Sequence, residues 1–208
     1  MDSTRQFWED FYRDKDQVWS GKVNPLLERE VAALTPGTAL DLGCGEGGDA
    51  IWLARRGWRV TAVDISETAL KRAAGHAAEA GVEGIVWERH DLAVSFPEGN
   101  FDLVSAQFFH SPVEEDGERD KALRRAAEAV APGGTLVVAG HAGWPTWMEE
   151  PPHEHIHFPA PAEVLEALTL DESEWTVEVQ DVVARDFPGP EGQTGTRSDN
   201  VLRVRRNV

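Results

Sequence analysis

The sequence predicts an α/β fold: a doubly wound, mostly parallel sheet of seven strands with helices on its faces, N-terminal helices ahead of it and an antiparallel hairpin strand at the C-terminal end. Three observations lead there. Short apolar runs alternate with longer segments of helical period from residue 38 to residue 141, the rhythm of repeated βαβ units. Several of these runs are nearly continuous, as strands covered on both faces are. The last quarter breaks the rhythm, setting two strand-like runs at 175–187 and 201–206 on either side of a turn-rich loop. With no helix between them, these two cannot make a parallel crossover and are expected to pair as a hairpin.

Each element has its own signal. STRQFWEDFY (3–12) offers Ser3 as a helix N-cap with Gln6 three residues on, and NPLLEREVAAL (24–34) puts Asn24 at an N-cap and Pro25 at the first helical position. TALDL (38–42) reads as a buried strand, DAIWLARR (49–56) as a helix, and RVTAVDI (59–65) as a second strand of β-branched residues closing on an acid. Leu70, Ala73, Ala74 and Ala77 make a helical stripe before the strands GIVWERH (84–90) and FDLVSAQFF (101–109). Leu123, Ala126, Ala127 and Val130 form the next stripe, PGG (132–134) stops it, and TLVVAGH (135–141) is a further covered strand. EVLEAL (163–168) is a short helix. The alternation of VLRVRR (201–206) points to the exposed face of an edge strand, with its arginines in solvent.

The 208 residues suit a single domain over 1–208, with enough apolar content to bury a core without staples. A formal charge of −17, from 20 basic against 37 acidic residues, repels a phosphate backbone and an anionic bilayer alike, so neither nucleic acid nor a membrane is expected as a partner. The single cysteine permits no internal disulfide, and neither a signal-like region nor a long apolar run appears, so a cytoplasmic protein is expected, as a monomer or homodimer.

The stretch ALDLGCGEGGDA (39–50) carries glycines at 43, 45 and 48 in the G-x-G-x-x-G spacing. In such sheets a loop like this lies beyond the carboxyl ends of the strands, where ligands bind, and its glycines let the backbone approach closely. Asp64 follows Gly43 by 21 residues, where a carboxylate accepts ribose hydroxyls. Both features fit a dinucleotide or another adenosine ligand. Asp41 separates them: a carboxylate ending the first strand would repel a pyrophosphate, whereas it would bind the ammonium of an amino-acid moiety. S-adenosylmethionine carries such an ammonium and a cationic sulfonium. An NAD-type oxidoreductase stands as the first alternative, and a non-catalytic S-adenosylmethionine-binding interaction protein as the second.

With these residues in place, the sequence resembles the class I S-adenosylmethionine-dependent methyltransferases, whose Rossmann-like sheet matches the one predicted. ALDLGCGEGGDA is similar to that family's first motif, VDIS (63–66) to its ribose-binding turn, HDL (90–92) to its adenine loop, FDLVSAQFFH (101–110) to its fourth strand and APGGTLVV (131–138) to its fifth. The resemblance implies that Gly43, Gly45 and Gly47, with Cys44 between them, line the methionine part. It implies Asp64 and Ile65 at the ribose, Asp91 and Leu92 at the adenine, and Gln107 at the ligand's inner face. FWEDFYRDKDQVWSG (7–21) resembles the small-molecule branch that includes tellurite-resistance and thiopurine methyltransferases, which implies that residues 1–36 form a helical cap over the cofactor, with Trp19 folded onto it. Asp49, an acid just inside the helix after the loop, departs from the pattern; it borders the cofactor and also suits the helix dipole structurally.

Methyl transfer requires an in-line approach of nucleophile, methyl carbon and sulfur, and a base only where the small-molecule acceptor must shed a proton. His110, at the end of the predicted fourth strand, is the candidate base. Phe108, Phe109, Trp144 and Trp147 are candidates for an aromatic acceptor pocket. In HEHIHF (153–158) the three histidines His153, His155 and His157 would share one side of an extended segment. Lacking a clear fourth ligand, they read as a substrate lid, and no metal is expected. Cys44, with no histidine near it in sequence, is not expected to be a nucleophile.

Overall fold

The computed structural model describes residues 3–113, 117–149 and 156–208. Its elements run α1 (Ser3–Arg13), α2 (Pro25–Val31), β1 (Thr38–Leu42), α3 (Gly48–Arg55), β2 (Arg59–Asp64), α4 (Glu67–Glu79), β3 (Val86–Arg89), β4 (Phe101–Gln107), α5 (Glu118–Glu128), β5 (Val130–His141), α6 (Pro161–Leu168), β6 (Trp175–Asp186) and β7 (Thr196–Arg206). The seven strands form one sheet in the order β3-β2-β1-β4-β5-β7-β6. β1 to β5 pair in parallel, and β7 is antiparallel to both its neighbours. This is the doubly wound sheet with a terminal hairpin that the sequence predicts.

The period of two along the strands sorts side chains into two cores. Leu40, Val104, Leu136, Val138, Leu202 and Val204 point to the face covered by α5 and α6. Ala39, Leu103, Val137, Ala139 and Val201 point to the face covered by α2 and α3. Alternation puts Asp41 on the α2 and α3 side of β1, where it is 2% exposed.

Several local expectations are corrected. Gln6 does not reach back to cap α1; its amide donates to Asp10 at 2.8 Å, and the side chain of Ser3 lies outside the described residues. Pro25 does start α2, but Asn24 caps nothing with its side chain, because Asp49 draws it away. The buried stripe of α4 is Ala69, Leu70, Ala73 and Ala77, with Ala74 exposed, since helix packing against β2 and α1 selects the neighbouring face. Val130 belongs to β5, which begins before PGG; the ladder with β4 steps from Phe101–Val130 to Leu103–Thr135 to take up that turn.

The largest correction concerns residues 201–206. β7 is an interior strand between β5 and β6, and β6 is the edge. Two of its three arginines at 201–206 are partnered, with Arg205 left exposed: Arg203 donates to the buried Glu30 at 3.0 Å and to Glu178 at 3.0 Å, and Arg206 to the carbonyl of Val130 at 2.8 Å. No helix among the described residues is long and apolar enough to cross a membrane.

Candidate active site

The strand order reverses at β1, which lies between β2 and β4, and the carboxyl ends of these strands open onto a cavity of about 430 Å³. That is where ligands enter sheets of this topology. Asp41, Asp64 and Gln107 contribute from β1, β2 and β4, the 43–46 loop forms one wall, Ile65, Asp91 and Leu92 form another, and Phe108, Phe109 and His110 continue from β4. Thr4, Trp8, Tyr12 and Trp19 reach in from the N-terminal segment.

Asp64 organises the glycine loop. Its Oδ2 accepts from the amide of Gly45 at 2.9 Å and its Oδ1 from the amide of Ser66 at 2.9 Å. Burial raises its pKa against the pull of these bonds. Gly45 has φ +53, and a Cβ there would lie 3.0 Å from the Tyr12 hydroxyl and 3.1 Å from the Trp19 indole nitrogen, so only glycine lets the cap settle on the loop. Gly47 faces elsewhere: a Cβ on it would meet Ala73 and Trp87, both at 2.9 Å, so its smallness serves packing of the loop on α4 and β3, away from the cavity.

Asp41 Oδ2 and Gln107 Oε1 are buried with no hydrogen-bond partner among the described residues. Such orphaned acceptors are costly unless something donates to them. A ligand carrying an ammonium group fits, since it supplies several N–H donors and a charge opposite to Asp41. Burial, then the charges of Asp49 and Asp64, push the Asp41 carboxyl well above the usual range. The same burial, with Asp64 and Asp41 nearby, pushes the Cys44 thiol up, so it is held protonated and unreactive.

The N-terminal segment is strapped down by three acids, of which sequence reading had named Asp49 alone, at the cofactor and the helix dipole. Glu46, 2% exposed, accepts from the amides of Val18 at 3.1 Å and Trp19 at 2.8 Å, and from Arg72 at 3.0 Å. Asp49 accepts from the Asn24 amide and its side chain, both at 2.7 Å, which makes it a tether between α3 and the cap. Glu9 bonds Ser66 at 2.8 Å and Thr68 at the start of α4; burial alone would raise its pKa, but these bonds outweigh it and hold it at about 2. Trp19, half exposed, donates to the Tyr12 hydroxyl at 3.0 Å above Gly45. Replacing Glu46 by alanine should deprive the Val18 and Trp19 amides and the Arg72 guanidinium of their shared acceptor, at about 0.5–1.5 kcal/mol per bond. Amides 15–22 should then exchange with deuterium markedly faster, and unchanged protection would show that the strap is held by other contacts.

Phe108 leaves β4 with φ +51, a left-handed conformation costly for a bulky side chain. This turn spreads Phe108, Phe109 and His110 along the cavity, and Phe109 lies against Gly43, where a Cβ would come within 3.0 Å of its ring. His110 sits exposed at the rim; partial burial, then its neighbours His141, Arg119 and Arg197, lower its pKa to about 4. Trp144 and Trp147 are not among the cavity residues. After β5 the chain turns toward the start of β7, where Trp144 packs edge-on against Phe158 and Trp147 stacks on Phe187. Their places are taken by Trp8, Tyr12 and Trp19. His153 and His155 lie outside the described residues, and His157 bonds Glu163 at 3.1 Å. Among the described residues no group of three or more histidine, cysteine or acidic side chains is arranged to hold a metal.

Sequence reading also missed His141, at the end of β5, which lines the cavity 5.9 Å from the His110 ring, and Asp199, whose Oδ1 lies 2.8 Å from its Nδ1. A histidine ending each of two neighbouring strands, in SAQFFH and VVAGH, was the signal available.

Residues 39–134 match the family described as "Methyltransferase domain". The ubiquinone biosynthesis O-methyltransferase of Caulobacter sp. (strain K31) is 42% identical over 101 residues, covering 48% of this chain and 39% of the relative. The 2-heptyl-1-hydroxyquinolin-4(1H)-one methyltransferase of Mycobacteroides abscessus is 33% identical over 126 residues, covering 58% of this chain and 54% of the relative. The chain thus spans about half the length of the curated relatives it matches. In fold it is similar to the N-methyltransferase NodS from Bradyrhizobium japonicum WM9, solved in complex with S-adenosyl-L-homocysteine, with a TM-score of 0.67 and 18% identity over 98% of this chain and 99% of NodS. Residues 39–134 thus carry a match to a methyltransferase domain, set in a sheet of order 3-2-1-4-5-7-6 whose glycine loop is closed by Asp64 and whose first strand ends in an orphaned carboxylate.

Proposed function

We propose that the protein transfers a methyl group from S-adenosylmethionine to a small-molecule acceptor. The carrying observation is Asp41 Oδ2, a buried carboxylate oxygen with no donor of its own at the end of β1. In this reading Asp41 and Gln107 hold the ligand's ammonium, Asp64 and Ile65 its ribose, and Asp91 and Leu92 its adenine. The backbone of Gly43, Cys44 and Gly45 lies along the methionine part, and the cap within residues 1–36 shuts out solvent with Trp8, Tyr12 and Trp19. Phe108, Phe109 and His110 border the acceptor. The two curated relatives are named for ubiquinone biosynthesis and for a hydroxyquinolinone, which supports a small molecule as acceptor.

When bound, S-adenosylmethionine supplies an electrophilic methyl group on a sulfonium. The chain's contribution is to align the acceptor, exclude water and set protonation. The acids favour binding of the cationic cofactor and not its conversion, because the sulfonium loses its charge as reaction proceeds. Calorimetry with S-adenosylmethionine tests the reading first: one site per chain is expected, with NADH failing to compete. Incubation with an acceptor library and mass detection of a methyl gain then tests turnover. Absence of cofactor binding would sink the proposal.

A further inference from the structure

Resting on that reading, the two imidazoles at the acceptor end are not equivalent. His141 and Asp199 are register partners across the antiparallel ladder of β5 and β7, and their side chains meet at 2.8 Å through His141 Nδ1. Asp199 is 3% exposed on its side chain, and Arg185 from β6 binds its second oxygen. Burial alone would raise the Asp199 pKa, but the bonds from His141 and Arg185 outweigh it and keep it below the usual range. An ionised carboxylate only accepts hydrogen bonds, so Nδ1 carries the proton and Nε2 keeps its lone pair. No group among the described residues bonds Nε2, and the Phe108 ring lies 4.5 Å from the imidazole, fixing its plane. Among the described residues no carboxylate bonds His110, 5.9 Å away; besides burial, the groups that lower its pKa are His141, Arg119 and Arg197.

We infer that His141, oriented by Asp199, is the base that deprotonates the methyl acceptor, and that the cavity therefore takes a flat acceptor bearing a weakly acidic hydroxyl, a phenol or an enol. The acceptor O–H bond breaks and its proton passes to Nε2. The oxygen keeps the electron pair and bonds the methyl carbon as the carbon–sulfur bond breaks, its pair going to sulfur. The imidazolium, steadied by Asp199, later releases the proton to solvent at the cavity mouth. Phe108, Phe109 and Trp8 provide apolar faces for a planar ring, and Arg119 and Arg185 line the same cavity, where positive charge favours an oxyanion. An acceptor that is already ionised, a thiolate or selenide, would have no use for a buried carboxylate–imidazole pair.

Among the described residues the groups facing His141 are His110 from just beyond β4, Asp199 and Arg197 from β7, Arg185 from β6 and, across the cavity, Glu118 and Arg119 from α5. Burial and then Arg197 lower the His141 pKa, while Asp199 raises it, so the ring is neutral and able to accept a proton at neutral pH.

The test uses para-nitrophenol, whose phenolate absorbs visibly, bound to the full chain saturated with S-adenosyl-L-homocysteine so that no turnover intervenes. Bound probe should ionise at a pH lower by about one unit than free probe, about tenfold more phenolate at a given pH. His141→Asn and His141→Gln should each abolish that shift while calorimetry shows an unchanged affinity for S-adenosyl-L-homocysteine. Asp199→Asn, which permits the other tautomer, should lose the shift, and Asp199→Glu should restore part of it; a purely structural role for Asp199 would leave ionisation untouched in any folded variant. The inference is overturned if the wild-type chain does not bind the probe, if it ionises the probe no better than water, or if either His141 variant keeps the shift. A wild-type chain that does not bind S-adenosyl-L-homocysteine would instead overturn the reading on which the inference rests.

Discussion

Replacing Asp64 by alanine is expected to weaken S-adenosylmethionine about a hundredfold or more and to lower the melting temperature of the ligand-free protein as well. Two losses combine. The ribose loses charge-assisted hydrogen bonds worth roughly 1.5–3 kcal/mol, itself about tenfold or more in affinity. In addition the amides of Gly45 and Ser66, which Asp64 holds at 2.9 Å each, lose their acceptor, so the loop is no longer organised before the ligand arrives. Asp64→Asn separates the two: its single oxygen can serve one amide and not both, so calorimetry should find an intermediate affinity. A folded Asp64→Ala variant with wild-type affinity would remove Asp64 from the cofactor site.

Asp41→Asn should move binding and stability in opposite directions. The carboxyl of Asp41 is raised well above its ordinary value, by burial first and then by Asp49 and Asp64. The ligand-free folded state therefore holds a proton that the unfolded chain gives up near pH 4. Because the folded state binds more protons, the contribution of this group to stability falls as pH rises from about 4 through the folded-state value. Asparagine abolishes that penalty, so the ligand-free variant should melt at a higher temperature than wild type at neutral pH. It also removes the charge that answers the ligand's ammonium, and S-adenosylmethionine should bind about tenfold to a hundredfold more weakly. In the wild type, an ammonium favours the ionised carboxylate, so binding should release a proton and strengthen as pH rises through the ligand-free pKa. Calorimetry in two buffers of different ionisation enthalpy measures that proton. Unchanged affinity in Asp41→Asn, or a loss of ligand-free stability at neutral pH, would assign Asp41 to the core and not to the ligand.

The features that local chemistry dictates were open to reading from the sequence alone. A nearly continuous apolar run such as TLVVAGH is a covered strand wherever it occurs, an acid-terminated β-branched run such as RVTAVD ends where ligands bind, and GCGEGG needs the left-handed backbone that glycine tolerates. From these came the doubly wound sheet, the loop, and Asp41 and Asp64 at the cavity. Tertiary structure alone decided whatever depends on which distant segments become neighbours. The alternation of VLRVRR fits an edge strand and an interior one equally well; only the tertiary structure pairs both edges of β7, with β5 and β6, and joins Arg203 to Glu30, 173 residues away. His141 and Asp199, 58 residues apart, meet because the β5–β7 register sets them opposite each other, and a register one residue off would turn Asp199 to the other face. Glu46 meets Trp19 across 27 residues only because the cap lies over the loop, while Trp144 and Trp147 are drawn out of the cavity by the chain's path to β7. Backbone propensity acts over a few residues, whereas long-range contacts are chosen by burial and sheet register across the whole chain, which a single sequence carries but does not display.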